Sequence, residues 1–133
     1  MIPALLLITL AACTNGAEPQ AQLDPKEAQD LAKALDGKVA GKPVSCVSLL
    51  NGTNLRPVGN RTLLYRVNKK LTYRNDLNGA CYGLRDGDTL VMHVYSSQYC
   101  RGDIAHVINL TSGIMSGSCV LGDFVPYTTA AGG

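Results

Sequence analysis

Two histidines, His93 and His106, are the residues of this sequence best suited to general acid–base catalysis or metal binding. Each lies in a segment of alternating apolar residues, so both are expected on β-strands. His93 falls on the side of its strand that carries Val91, whereas His106 shares a side with Ile104 and Ile108. If each strand turns its larger apolar set inward, His93 points to solvent and His106 into the core. A shared metal site is therefore not expected.

Three aspartates, Asp86, Asp88 and Asp103, lie close to these strands in the sequence, and paired carboxylates can carry hydrolytic chemistry. Asp86-Gly87-Asp88 is better explained as a turn before a strand, because aspartate and glycine favour turn conformations. The sequence contains neither a Rossmann glycine motif nor a phosphate-binding loop. We therefore expect a non-enzymatic protein with no catalytic residues, no cofactor and no metal.

Five cysteines offer thiol chemistry. Setting Cys13 apart leaves Cys46, Cys81, Cys100 and Cys119, an even number separated by 35, 19 and 19 residues. Zinc sites usually draw cysteines from close C-x-x-C pairs, which these spacings lack. The sequence therefore predicts two disulfides, and disulfides persist in oxidising compartments.

Cys13 ends a stretch of thirteen uncharged residues, of which 4–12 form a mostly apolar run. That run is too short to span a bilayer and is typical of the apolar part of an export signal. The residues at 10–13, Leu-Ala-Ala-Cys, resemble the lipobox of bacterial lipoproteins, in which the cysteine thiol accepts a diacylglycerol. The resemblance implies a signal peptide at 1–12 and a lipidated Cys13.

Two alternatives to lipidation stay open at this stage: an ordinary cleaved signal that removes Cys13, and a buried N-terminal helix. The run lacks the preceding Lys or Arg that export signals usually carry, which a start site assigned too far downstream would explain. Under the lipoprotein hypothesis the domain is anchored to a membrane of the bacterial cell envelope and faces the periplasm. Under the ordinary-signal hypothesis it is soluble in the periplasm or secreted.

A polar segment and one short helix follow the leader. Residues 13–23 are small, polar and unpatterned, which predicts a flexible tether. Asp24, Pro25 and Glu27 then supply an N-cap, a first-turn proline and a capping-box glutamate, so a helix is predicted at 24–37. Its apolar stripe is narrow, and we expect it to dock loosely or to fray.

Period-two alternation on both sides of residues 68–70 predicts a β-hairpin. A three-residue loop there places Val67 opposite Leu71 and Tyr65 opposite Tyr73. One face of the hairpin is then apolar and the other basic.

Further strands are expected near 89–95, 103–109 and 114–125. The fold class predicted for residues 43–127 is mainly β, a small disulfide-stapled antiparallel barrel or sandwich with one short N-terminal helix. Residues 128–133 are small and are predicted to form a disordered tail.

Strand direction favours one of the three ways in which four cysteines can pair. If successive strands alternate in direction, Cys46 and Cys81 lie at one end of the domain, and Cys100 and Cys119 at the other. A continuous strand would hold Cys81 and Cys100 roughly 20 Å apart. The favoured pairs are Cys46–Cys81 and Cys100–Cys119, although a bulged strand could bring opposite ends together and leaves the other pairings open.

Positive charge is concentrated in the middle of the chain. Residues 56–101 hold eight lysines and arginines but three aspartates, a local excess of about +5. Arg66, Lys70 and Arg74 alternate with inward-facing residues and are expected to share one hairpin face that binds anionic surfaces. In a cell envelope the anionic partners are phospholipid headgroups, lipopolysaccharide and cell-wall polymers rather than nucleic acid. The alternative is a solvated basic face without a ligand.

The cysteines occur within sequence blocks at residues 46, 81–84, 100–103 and 119–124, with further blocks at 61–66 and 73–77. In the order and spacing of these blocks the chain resembles a family of small exported bacterial proteins classed as a domain of unknown function. The resemblance implies a common exported four-cysteine domain, and it implies no activity or ligand.

These observations favour a cell-envelope protein that binds or scaffolds an envelope component. The competing interpretation is an inhibitor of an envelope hydrolase, which needs a rigid projecting loop such as residues 95–101. A small enzyme is the least favoured alternative.

Overall fold

Short antiparallel strands are the main regular secondary structure of the folded chain. The computed structural model describes residues 24–52, 55–81, 83–84, 88–94 and 96–129. The predicted class, a mainly β fold with one short N-terminal helix, is confirmed. In chain order the elements are α1 (Pro25–Ala34), β1 (Lys38–Ala40), β2 (Cys46–Ser48), a 3-10 helix (Leu49–Asn51), β3 (Arg56–Val58), β4 (Thr62–Asn68), β5 (Leu71–Asp76), β6 (Thr89–Met92), β7 (Gln98–Cys100), β8 (Ile104–Ile108), β9 (Met115–Val120) and β10 (Phe124–Thr129).

The helix begins at the capping box that the sequence predicts. The Glu27 N–H donates to the Asp24 carboxylate at 2.8 Å, and the Glu27 carboxylate accepts from the Asp24 N–H at 3.1 Å. Pro25 occupies the first turn, where a missing N–H has no consequence. Gly37, with φ of +69°, turns the chain from the helix into β1.

In the described residues, three antiparallel sheets form a sandwich-like arrangement that does not close into a barrel. The largest has the strand order β1-β10-β5-β4-β3, a second has the order β6-β8-β9, and β2 pairs with β7. The prediction of a disordered tail from residue 128 is wrong for Thr128 and Thr129, which pair with Val39 and Lys38 of β1. Neither β1 nor the end of β10 shows an alternation of apolar residues that would predict a strand. The two segments are ordered because they pair with each other at the edge of the sheet.

The hairpin of β4 and β5 confirms the predicted pairing of Tyr65 with Tyr73. The predicted pairing of Val67 with Leu71 is wrong, because Asn68 takes that place and a bulge lies between Arg66 and Asn68. The Asn68 side chain accepts the N–H groups of Lys70 and Leu71 at 2.8 and 3.0 Å. These bonds close a shorter turn than the one predicted.

The main core lies between the five-stranded and the three-stranded sheets. Leu63, Tyr65 and Phe124 contribute from the larger sheet, and Ala105 and Val107 contribute from β8. The Tyr65 hydroxyl donates to the Ser48 carbonyl at 2.7 Å, which joins the third sheet to this core. Burial, together with the neighbouring rings of Tyr99 and Tyr73, raises the pKa of Tyr65, so its hydroxyl keeps the proton that it donates.

The four core cysteines form two disulfides, as predicted, but the favoured pairing is wrong. Cys46 bonds to Cys100, its direct cross-strand partner in the β2–β7 sheet, with the Cα atoms 4.0 Å apart. Cys81 bonds to Cys119, with the Cα atoms 4.9 Å apart. The strand-direction argument fails because β6 ends at Met92, and the chain then leaves that sheet to pair with β2.

A buried amide fixes the junction between the two larger sheets. Asn75, at the end of β5, is 1% exposed. Its Nδ2 donates to the Gly122 carbonyl and its Oδ1 accepts from the Gly122 N–H, each at 2.8 Å. A Cβ atom at Gly122 would overlap the Asp76 carbonyl oxygen, so glycine is required there. The chain between β9 and β10 is thereby held against β5.

Removing the Cys81–Cys119 disulfide should cost more stability than removing Cys46–Cys100. The loops closed by the two bonds, 38 and 54 residues long, differ little in closure entropy. Cys46→Ala with Cys100→Ala should cost about 2–4 kcal/mol. Cys81→Ala with Cys119→Ala should cost about 1 kcal/mol more, because both sulfur atoms are buried and their removal creates a cavity in the core. Urea denaturation of the two double variants measures the order, and the reverse order would contradict it.

Asn75→Asp should destabilise the fold in a pH-dependent way. A carboxylate oxygen replaces the amide donor and faces the Gly122 carbonyl, which costs on the order of 3 kcal/mol at neutral pH. Protonation restores a donor, so the folded-state pKa of this Asp is raised above its usual value near 3.9. The variant should therefore approach wild-type stability below that pH and lose stability as pH rises. Urea denaturation across pH checks this, with the exposed Asn60→Asp variant as the control.

Candidate anion-binding groove

The helix packs on the face of the five-stranded sheet that points away from the main core. Leu31, with Ala34 and Leu35, covers Val58 of β3 and Leu64 of β4 in a second apolar cluster. Leu31 is buried, and the helix docks where three apolar residues at helical spacing meet an apolar patch of the sheet.

This packing also corrects the view that one hairpin face is simply basic. Leu64 lies on the same side of β4 as Arg66, and Thr72 is the direct cross-strand partner of Arg66. Both Leu64 and Thr72 are buried. The face is mixed, with an apolar and hydroxyl floor from which cationic side chains project.

A groove of about 560 Å³ opens where the end of α1 meets this sheet face. Its floor is formed by Ala34, Leu64 and Thr72. The lining includes no acidic residue. The rest of it consists of five cationic side chains, those of Lys33, Lys38, Arg56, Arg66 and Lys69. A cavity with this composition attracts anions.

Each cation comes from a different element. Lys33 lies in the last turn of α1, and Lys38 begins β1. Arg56 begins β3 directly opposite Leu64, Arg66 lies in β4, and Lys69 lies in the turn between β4 and β5. The groove therefore depends on the docked helix and on the pairing of β3, β4 and β5.

The charges of the groove are only partly compensated. Lys38 Nζ donates to the Ala34 carbonyl at 3.5 Å, and the helix carboxyl end favours the nearby lysines. In the part of the chain that the structure describes, no carboxylate forms an ion pair with Lys33, Lys38, Arg56 or Lys69. A bound anion would relieve the mutual repulsion of these cations.

The three residues predicted to bind anions have different surroundings. Arg66 lines the groove, whereas the exposed Lys70 does not. Arg74 donates to Asp76 at 3.0 Å, so its charge is already matched. Burial lowers the pKa of Arg74, but the hydrogen bond and charge of Asp76 outweigh this and raise it overall. Lys33 and Lys38 also line the groove but were not predicted to bind anions, although two lysines that flank the predicted end of a helix indicate a local concentration of positive charge.

His93 is exposed, as predicted from the sequence, but the predicted inward orientation of His106 is wrong. His106 lies opposite Val91, and the rings of His93 and His106 are 6.0 Å apart between centroids. The residues of β8 that face the core are Ala105 and Val107, which are both buried. Ala105 is the cross-strand partner of Cys119, whose disulfide also lies in the core. Both sides of β8 are apolar, which is why alternation alone selected the wrong one.

The candidate carboxylates have structural partners. Asp103 accepts the Cys100 N–H at 2.8 Å in a turn, and Asp88 accepts from the Asn109 side chain at 3.2 Å. Asp86 lies outside the described residues, as does Cys13. Among the described residues no group of three or more His, Cys, Asp or Glu side chains is placed to hold a metal ion.

The two disulfides indicate an oxidising environment outside the cytoplasm. Within the described ranges no helix is long and apolar enough to cross a membrane. Comparisons of the chain with models of protein families, with curated proteins and with solved structures found no match.

Leu31→Ala should release α1 from the sheet and so dismantle the groove. The truncation removes apolar contacts with Val58 and Leu64 and should cost about 2–3 kcal/mol of docking free energy. Amide hydrogen exchange should then speed up across α1 while β4 and β5 stay protected, since the main core is on the other sheet face. Gln29→Ala, an exposed change on the same helix, is the control. Exchange rates in α1 that match the wild type would contradict this packing.

Proposed function

We propose that this chain is a lipid-anchored, non-enzymatic binding protein of the bacterial cell envelope, and that its groove holds a phosphate-bearing group of an anionic envelope component. One observation carries the proposal: five cations from five elements line a single cavity of about 560 Å³ with no acid in its lining. Cavities of this size are typical of small-molecule and headgroup sites.

The lining chemistry fits a phosphate better than a diffuse negative surface. Arg56 and Arg66 carry guanidinium groups, which bind phosphate oxygens in pairs, and the lysines add point charges. The apolar floor of Ala34 and Leu64 excludes some water, which strengthens charge interactions. Thr72 adds a hydroxyl to the same floor.

The two disulfides and the N-terminal leader support the proposal that the domain is exported to the cell envelope. The lipobox-like residues at 10–13 and the resemblance to exported four-cysteine proteins both favour export. From Cys13 to the start of α1 an extended tether would span at most roughly 40 Å. A groove on such a tether is within reach of phospholipid headgroups, lipopolysaccharide and cell-wall polymers.

Inhibition of an envelope hydrolase is a second candidate, and one observation favours it. The β2–β7 ribbon, pinned by the Cys46–Cys100 bond, is followed by Leu50, which is 82% exposed. A rigid ribbon that presents an apolar side chain is suited to filling a protease pocket. Leu50→Asp should abolish inhibition if this is the function, and it should leave anion binding unchanged.

Anion binding should depend on the groove lysines and not on their neighbours. The chain with Cys13→Ser, which cannot be lipidated, is mixed with vesicles of phosphatidylcholine, with or without phosphatidylglycerol. Lys33→Gln with Lys69→Gln removes two groove charges, and it should weaken binding to the anionic vesicles on the order of tenfold. Raising the salt concentration should weaken the wild type as well.

The matched control is Lys42→Gln with Lys70→Gln, which removes the same charge from exposed lysines outside the groove. Lys70 follows Lys69 directly in the sequence, so the two double variants differ mainly in whether the lysines that they replace line the groove. Equal weakening by both variants would show a general basic surface, and equal binding to neutral and anionic vesicles would refute the proposal for lipid headgroups.

A further inference from the structure

A pair of histidines lies on the outer face of the three-stranded sheet, remote in sequence from every residue of the groove. Val91 of β6 is the cross-strand partner of His106 in β8, and His93 follows two residues after Val91. His93 is the first residue after β6, and the short distance between the two rings places it on the same face as His106. Their rings meet edge to face, with centroids 6.0 Å apart.

We propose that His93 and His106 together bind one divalent copper ion. A metal–nitrogen bond of about 2.0–2.1 Å allows two imidazoles on one ion to have centroids up to roughly 6.4 Å apart. The observed separation falls within that span, although the edge-to-face arrangement means that a ring must rotate before a nitrogen of each histidine faces the same ion. His93 is exposed, so its ring can rotate to shorten the distance further.

An unpartnered nitrogen points to a ligand at this pair. The Nδ1 atom of His106 is buried, and in the described part of the chain it has no hydrogen-bond partner. A buried polar atom without a partner is costly and uncommon in folded proteins. Because this nitrogen is buried, the His106 ring must turn to coordinate an ion shared with the exposed His93, and that rotation would give the nitrogen a partner.

The ligand set selects the ion. Two imidazoles leave the remaining coordination positions to water, whereas structural zinc sites usually have four protein ligands. Copper(II) accepts a tetragonal arrangement of nitrogen and oxygen ligands and binds such sites more tightly than the other divalent first-row metals. The disulfides indicate an oxidising compartment, which favours the divalent state.

Copper titration followed by electron paramagnetic resonance tests the site. The full chain with Cys13→Ser is used, because a free thiol would reduce or bind copper. The sequence contains two histidines in all, so every imidazole nitrogen in the spectrum comes from this pair. The wild-type signal should show one copper ion with two imidazole nitrogens.

His93→Ala should leave one imidazole nitrogen and weaken binding by at least about tenfold, because the second ligand of a chelate binds intramolecularly. His93 is exposed, so this variant should fold normally. Val91→Thr, on the same face, should keep wild-type affinity and spectrum. His106→Gln should match His93→Ala. A wild-type spectrum with one imidazole, or His93→Ala binding as tightly as the wild type, would overturn the proposal.

Discussion

The Cys81–Cys119 disulfide is the constraint that holds the two larger sheets of this domain together. Cys81 follows β5 of the five-stranded sheet, whereas Cys119 lies in β9 of the three-stranded sheet, and both are buried in the main core. The chain has one phenylalanine and no tryptophan, so apolar burial between the sheets is modest. The covalent bond limits how far the layers can separate in the unfolded chain. The paired hydrogen bonds of Asn75 and Gly122 then fix the junction beside it.

With the main core on one side of the five-stranded sheet, the other side is left to α1. The helix begins beside Gly59, at the β3 edge, and its chain enters β1 at the opposite edge. Ten helical residues extend about 15 Å, whereas five strands span roughly 19 Å. The helix therefore covers Val58 and Leu64 but leaves the sheet face open beyond its last turn. The cationic groove is the uncovered part of that face.

Local patterns in the sequence predicted the features that depend on neighbouring residues. The Asp24 capping box and the pairing of Tyr65 with Tyr73 each follow from residues a few positions apart. The disulfide pairing and the side of β8 that faces the core could not be predicted from such local patterns. Both depend on the strands with which β7 and β9 pair, and these are distant in the sequence or set by the tertiary fold. The groove also joins Lys33 and Lys38 to Arg56 and Lys69, which only the docked helix brings together. Of the predicted anion-binding residues, Arg66 alone lines the groove.

Binding of an anion in this groove is most directly tested by two-dimensional ¹H–¹⁵N NMR of the Cys13→Ser chain titrated with inorganic pyrophosphate. A specific site should produce saturable shifts at the amides that surround the groove, near residues 33–38, 56, 66 and 72. The amides around Arg101, whose charge is matched by Asp123, should shift little. Small, unsaturable shifts spread over every basic residue would contradict the account.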